Sequence, residues 1–255
     1  MALFNIVTIN WNNLAGLEKT YRSVVSQTHS DFRWIVVDGA STDGGVEWLN
    51  SLSDPRAEIT SEKDKGIYDA MNKGIDQSTR SDGFTLFMNS GDTFADEHVL
   101  ERVAAAVQKA PQMPSFIWGD YFTQRDDGPL VPHTAKDASK LWVGMLASHQ
   151  TMYFNNERLR KHKIRFREKY RLSADYCMLI EFVKDLRPEE LLKLSFPMCV
   201  FDMSGISERQ RFKALKEDLQ IRRHFLKLSS PHSFLLYVLH YVHTHTKMLR
   251  ANLGR

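Results

Sequence analysis

Asp38 and Asp92 each close an otherwise apolar run, and amide or hydroxyl side chains gather at the same places. Thr8 and Asn10 end the run Phe4–Ile9, Asp38 follows Trp34–Val37, and Asn89 to Asp92 follow Phe84–Met88. Asp and Asn are poor strand formers, so strand propensity does not put them there. Carboxylates and amides suit hard cations such as Mg²⁺ and Mn²⁺, which bridge protein oxygens to a pyrophosphate. Such an ion neutralises the charge that develops on a departing diphosphate. Other common chemistries lack their residues. The 255-residue chain has no nucleophile elbow, no glycine-rich phosphate loop with its lysine, and no zinc-ligand spacing.

The elements that must position these groups alternate in type. The three apolar runs are short and rich in β-branched and aromatic residues, as buried strands are. Leu14, Leu17, Tyr21, Val24 and Val25 share a helical face after Asn12 and Asn13, which can cap it. Asp43 is placed to cap a second helix through Val46 and Leu49, and Ile67, Ala70, Met71 and Gly74 line a third. Strand and helix in alternation predict an α/β fold with a mostly parallel sheet covered on both faces. Loops beyond the carboxyl ends of such strands carry the function, and the polar clusters lie there. Beyond these, Ser115–Phe122, His149–Phe154 and Leu194–Phe201 read as strands, and Lys136–Leu146 and Ala174–Val183 as helices.

Four stretches in order carry a resemblance. Val7-Thr8-Ile9-Asn10, Ile35 to Gly44, Asp64 to Gly74 (DKGIYDAMNKG) and Phe87 to Asp92 (FMNSGD) together resemble the family 2 glycosyltransferases, closest to the branch that builds bacterial exopolysaccharides, such as the colanic acid transferases. The resemblance implies the GT-A nucleotide-binding fold over 1–206, with a donor-binding half, 1–110, and an acceptor-binding half, 111–206. It implies that Thr8 and Asp38 contact the nucleobase and ribose of a nucleotide-sugar, with Asn10 beside them. Asp64, Asp69, Asn72 and Lys73 would line the donor pocket; Asp69 and Lys73, four apart, could equally pair with each other. Asn89, Ser90, Gly91 and Asp92 stand where the family keeps its Asp-x-Asp metal motif. Asn89 and Gly91 replace carboxylates there, which leaves Asp92 as the ligand for Mn²⁺ or Mg²⁺. His149-Gln150 and Ala174-Asp175-Tyr176 resemble the acceptor-side motifs, making Asp175 the general base of an inverting transfer. As the alternative, Asp175 only caps its helix. His149 would meet the diphosphate, metal or acceptor, or serve as a buried structural histidine. Gly205-Ile206-Ser207 echoes a loop that closes over the donor.

Asn155 to Arg171 holds eight Lys or Arg against two Glu. In this segment Arg165, Arg167 and Arg171 would hold the phosphates of a lipid-linked saccharide acceptor, arginine's fork matching phosphate oxygens. Nucleic acid is not expected, since interleaved aromatic platforms are missing from this segment. Trp11, Trp118 and Trp142 could stack on sugar rings or pack in the core. From Met203 to Arg255 ten Lys or Arg face three Asp or Glu, a surplus of seven. With the whole chain at +3, Met1 to Asp202 is net acidic by four. The tail 207–255 reads as a C-terminal amphipathic, basic helical extension, broken at Pro231 and suited to a membrane surface. Two cysteines without a paired spacing, and an N-terminus that opens directly on a strand, suggest a cytoplasmic protein peripheral to the inner face of the cell membrane. Two other readings remain open. A sugar-phosphate nucleotidyltransferase should carry a basic glycine-rich loop where Asn10-Trp11-Asn12-Asn13 stand, and a non-catalytic nucleotide-sugar scaffold would not need Asp92 and Asp175 together. The sequence leaves the oligomeric state, donor sugar and linkage open.

Overall fold

The computed structural model describes residues 3–203 and 211–253, without the side chains of Arg211 and 247–253. The Gly205-Ile206-Ser207 stretch and the 206/207 boundary lie outside the described residues. The first half alternates as expected: β1 (Phe4–Asn10), α1 (Leu14–Val25), β2 (Phe32–Asp38), α2 (Gly45–Ser51), β3 (Ala57–Ser61), α3 (Ile67–Ser78), β4 (Phe84–Phe87), a short β5 (Thr93–Phe94) and α4 (Val99–Lys109). The second half holds β6 (Phe116–Gln124), β7 (Val131–His133), β8 (Tyr153–Asn155), α5 (Asn156–His162), α6 (Ala174–Val183), β9 (Leu191–Asp202), α7 (Arg211–Phe225) and α8 (Ser230–Leu253).

Among the described residues the strands form one sheet in the order β3-β2-β1-β4-β8-β6-β9-β5, with β7 paired to β6. β3, β2, β1 and β4 run parallel, so Asn10, Asp38 and the turn after β4 reach the same edge. β8 is antiparallel to β4 and β6, and β9 runs parallel to β6. Alternate residues of a strand face opposite sides. Accordingly Val7, Ile35 and Val37 pack with Ala70, Met71 and Ile75 of α3 and with α6. Ile6, Trp34 and Val36 pack with Leu17 and Val24 of α1 and Val99 and Val103 of α4. Both faces are covered, and this is why β1 and β2 read as unbroken apolar runs.

Local signals explain most boundaries. The Asn13 side chain accepts from Gly16 N at 3.2 Å and caps α1, a contact worth about 1 kcal/mol. Asp43 does not sit at the cap of α2, where Gly44 takes a left-handed φ of 90°. Its carboxylate instead accepts from Gly45 N and from Leu14 N, tying the starts of two helices together. Two expectations are corrected. Lys136–Leu146 is a loop with one 3-10 turn at Ala138–Lys140, because Lys136 N bonds Leu146 O at 2.7 Å and closes it on itself. His149–Thr151 is a 3-10 turn ahead of β8 and not strand. Pro231 falls in the first turn of α8, where its missing N–H costs no helical bond.

The C-terminal helices differ from each other. In α7, Ile221 and Arg222 are fully buried and Ile221 joins the core of the catalytic body. In α8, Leu236 is buried, while Phe234, Leu235, Val238, Leu239, Tyr241 and Val242 are exposed. No helix among the described residues is long and apolar enough to cross a membrane.

Candidate active site

The parallel edge gathers its polar groups through β1, β2 and the turn after β4. Asn10 pairs with Asp38 in register, and its Nδ2 donates to Asp38 Oδ1 at 2.8 Å. Asp38 also accepts from Ser41 N at 2.8 Å, Ser41 Oγ at 2.6 Å and Ser61 Oγ at 2.8 Å. Its carboxylate is 0% exposed, and four donors fill the sites that two oxygens offer. Burial raises its pKa, but the bonds from Ser41, Asn10 and Ser61 outweigh burial and hold it below the usual carboxylate value. Asp38 is thus an ionised hub behind the surface. Thr8 is equally enclosed: its hydroxyl donates to Met88 O at 2.8 Å and accepts from Trp34 Nε1 at 2.9 Å. Both residues brace the edge from within, and neither side chain opens outward.

Other groups do reach the open side. Trp11 is 67% exposed at the end of β1. Next to it, a Cβ on Gly39 would stand 2.6 Å from Asp64 Oδ2 and 3.2 Å from Trp11 Cδ1, so only glycine lets these two close over the β2 end. Trp142 is exposed on the acceptor-side loop, whereas Trp118 is core. Asp64 Oδ1 accepts from Gly66 N at 2.9 Å. Asp69 accepts from Lys65 N, and the Lys73 ammonium lies 3.5 Å from Asp69 and 2.8 Å from Glu62, so the helical pair is formed. Asn72 grips the Phe166 backbone on both sides, Nδ2 to Phe166 O and Phe166 N to Oδ1, each at 2.9 Å.

The turn after β4 is built from Asn89 to Asp92. Gly91 has φ +104°, a conformation that side chains disfavour, and its N–H bonds Thr20 Oγ1 at 3.0 Å. Ser90 Oγ donates to Asn10 Oδ1 at 2.8 Å. Asn89 Nδ2 faces His149 Nε2 at 3.2 Å, and burial pushes the His149 pKa down to about 4, so its ring is neutral at pH 7. Asn89 Oδ1 is buried without a hydrogen-bond partner. Asp92 is 4% exposed; Oδ2 accepts from Gln150 Nε2 at 2.6 Å and Oδ1 from Asp202 N at 2.9 Å. Burial raises its pKa to about 7.

Asp175 lies in the first turn of α6 and is partly exposed. Burial and the nearby Asp218 raise its pKa to about 6, against the lowering effect of the Tyr176 N–H and the Tyr68 hydroxyl. Tyr68, in the first turn of α3, stacks on Phe166 with ring centroids 5.4 Å apart. Tyr68 meets Asp175, and on the sheet edge Asn10 Nδ2 on Asp38, Ser90 Oγ on Asn10 and Asn89 Nδ2 against His149 join the ends of β1 and β2 to the turn that holds Asp92. The basic segment stays largely apart from these groups. Arg165 pairs with Asp76, and Arg167 grips Glu181 with bonds of 2.9 and 2.5 Å. Arg171 is exposed, and its backbone N–H donates to Glu217.

A divalent ion can be tested against these groups. Among the described residues no three His, Cys, Asp or Glu side chains are placed to hold a metal. At the turn Asn89 Oδ1 lacks a partner, and Asp202 Oδ2, which makes contacts of its own, would stand 3.3 Å from a Cβ on Gly91. One amide and one carboxylate fit an ion that keeps most of its sphere for water and phosphate, as Mg²⁺ does. Sequence alone gives Asp202 and Tyr68 no role, and Gln150 enters only as part of the His149-Gln150 motif. Asp202 closes the apolar run Leu194–Phe201, the same signal that marked Asp38 and Asp92.

Comparison with known proteins bears on this site. The model of "Glycosyl transferase family 2" matches residues 5–179. An uncharacterized glycosyltransferase of Mycobacterium tuberculosis is 28% identical over 224 residues, 85% of this chain and 81% of its own. A PGL/p-HBAD biosynthesis glycosyltransferase of Mycobacterium bovis is 32% identical over 121 residues, 46% of each chain. Among solved structures, Staphylococcus aureus TarS 1-349 in complex with UDP-GlcNAc aligns with TM-score 0.68 at 14% identity, over 97% of this chain and 73% of that one. The Pyrobaculum calidifontis mannosyltransferase PcManGT, in complex with GDP-Man and Mn²⁺, aligns with TM-score 0.62 at 14% identity, over 99% and 79%. At such identities the structural likeness speaks for the fold alone.

Proposed function

Because this chain belongs to glycosyl transferase family 2 and is a glycosyltransferase, we propose that it moves a sugar from a nucleotide-diphosphate donor to a lipid-linked saccharide with inversion, in the synthesis of a bacterial surface polysaccharide. Family membership decides against the nucleotidyltransferase and scaffold readings. The observation that carries the proposal is the Asp175 carboxylate in the first turn of α6, raised to about 6 chiefly by burial, together with the Asn89–Asp92 turn at the carboxyl edge of the parallel strands. A carboxylate of that basicity is ionised at neutral pH and still able to take a proton from an attacking hydroxyl.

In this reading the nucleoside lies against Trp11, Gly39 and Asp64, with Asp38 and Thr8 bracing Asn10 and Ser41 from behind. Asp69, Asn72 and Lys73 support the same pocket by fixing α3 and the Phe166 segment. The diphosphate crosses Asn89, Ser90 and Gly91. A Mn²⁺ or Mg²⁺ ion would be held by Asn89 Oδ1 and Asp202 and would stabilise the departing diphosphate. Asp92 anchors that turn with one bond on each oxygen, which leaves each a lone pair through which it could also hold the ion. His149, neutral, can hydrogen-bond the diphosphate or acceptor. Arg171, exposed four residues before Asp175, is the cation of this segment offered to an acceptor phosphate, while Arg165 and Arg167 are held by Asp76 and Glu181.

The exposed Phe234, Leu235, Val238, Leu239 and Val242 of α8, with the basic surplus of the tail, suit an interfacial helix at the cytoplasmic face of an anionic membrane. The test of the catalytic reading is a panel of UDP-, GDP- and dTDP-sugars with Mn²⁺, assayed for free diphosphate with and without bacterial lipid-linked saccharides. Release from one donor, stimulated by an acceptor, is expected; no release with any pairing contradicts it.

A further inference from the structure

Helix α6 begins without a cap of its own. The residue before it, Ser173, has φ −132° and makes no side-chain capping bond. Inside the first turn Tyr176 N donates to Asp175 Oδ1 at 2.9 Å, and the N–H groups of the turn that leads into the helix are met from elsewhere in the chain. Glu217 of α7 accepts from Arg171 N at 3.1 Å through Oε1, and from Leu172 N at 2.9 Å and Ser173 N at 3.0 Å through Oε2. Ser173 Oγ also donates to Ala214 O at 3.4 Å. Three successive N–H groups converging on one carboxylate form an anion-binding nest, filled here by the protein itself. The negative charge also meets the positive end of the helix.

The remainder of α6 does not depend on that contact. Eight of its ten residues are buried, Asp175 and Glu181 being the exceptions, so packing maintains the helix. What a remote carboxylate fixes is the entry to the helix, and Asp175 is two residues beyond the last N–H it takes. From the other side the Tyr68 hydroxyl holds the same carboxylate. The next residue on α7, Asp218, faces Asp175 and lies 3.6 Å from the fully buried Arg222, whose Nη2 donates to Val143 O at 2.8 Å. Tyr176 Oη donates to Leu141 O at 2.7 Å. One helix of the C-terminal extension therefore touches both segments that flank the acceptor side.

We infer that Glu217 is a positioning residue for Asp175, and that α7 is part of the catalytic body while α8 alone is the outer appendage. The inference rests on the reading of Asp175 as the base. Losing Glu217 frees the entry to α6 and lets the base swing, without reaching the donor pocket on β1, β2 and the Asn89–Asp92 turn. The expected signature is a fall in kcat at nearly constant donor KM.

The experiment compares Glu217→Ala, Glu217→Gln and Asp175→Asn in the full chain, with the donor and acceptor found active in the panel above. Glu217→Ala should lower kcat at least tenfold with donor KM within about twofold of wild type. Glu217→Gln keeps one acceptor oxygen and should recover part of the loss. Amide hydrogen exchange should quicken at Leu172 and Ser173 while 178–183 stay protected. A Glu217→Ala enzyme within twofold of wild-type kcat, beside an inactive Asp175→Asn, overturns the inference and leaves the base reading intact. Loss of protection across 178–183 together with a raised donor KM also overturns it, since that marks a general packing role. If Asp175→Asn is as active as wild type, the base reading falls and the inference with it. Glu217→Gln carries the same comparison if the alanine variant does not fold.

Discussion

Gln150 Nε2 donates to Asp92 Oδ2 at 2.6 Å, joining the turn after β4 to the segment that leads into β8. The second oxygen takes Asp202 N at the end of β9, so one buried carboxylate ties three strands' ends together. Burial lifts its pKa from an ordinary 3.8 to about 7. The sign follows from linkage: between about pH 4 and 7 the folded chain keeps a proton that the unfolded chain has released. The contribution of Asp92 to stability therefore falls as pH rises through that window and levels off above it, while His149 and His240, kept neutral by burial, act the other way up to about pH 6.5. Asp175, raised to about 6, acts in the same direction over the lower part. Asp92→Asn should flatten the decline between pH 6 and 7 in a series of melting temperatures. An unchanged slope there would show that Asp92 titrates normally.

Asp38 should matter more for folding than for contact with the donor. Asp38→Ala strands the buried donors on Asn10 and Ser41, and breaking a buried charged network of this kind costs about 3 kcal/mol or more. For a domain of this size that lowers the melting temperature by roughly 6–12 °C. A variant melting within a degree or two of wild type contradicts the hub.

Gly39→Ala tests the outer lip. The added methyl would lie 2.6 Å from Asp64 Oδ2 and must push Asp64 away from Trp11. Donor KM should rise about tenfold with a smaller change in kcat, if the proposed nucleotide contact lies here and not at the reacting centre. Constant KM would remove Asp64 and Trp11 from the donor site.

The sequence made the parallel half of the sheet legible because its strands are buried on both faces and so read as plain apolar runs. It also marked which strand ends are polar. It could not tell the direction of each side chain. Thr8 turns inward because the indole N–H of Trp34 needs an acceptor, and Asp38 is drawn in by serines on two separate segments. The basic stretch read as a phosphate clamp, yet Arg165 and Arg167 find acids on α3 and α6, pairings that only the fold creates. The edge strand β3, with its alternating AEITS pattern, and the self-closing loop 136–146 have no continuous apolar signal to betray them.

The proposed membrane attachment through α8 can be tested apart from the rest of the fold. Leu235→Glu, Leu239→Glu and Val242→Glu together place charge on the exposed side of α8 without touching Leu236 or Ile221. Sedimentation with anionic vesicles should drop to background while the melting temperature holds. Undiminished sedimentation contradicts the interfacial helix.

The central claim is that Asp175 takes the acceptor's proton in the same site where the Asn89–Asp92 turn holds the donor. Its most direct measurement is transfer by Asp175→Asn, with donor affinity read in parallel and wild-type kcat/KM followed against pH. The account predicts a loss of about 10² to 10⁴ in kcat with donor binding intact, and a wild-type rate that climbs with pH through about 6. An Asp175→Asn enzyme turning over at the wild-type rate would contradict it.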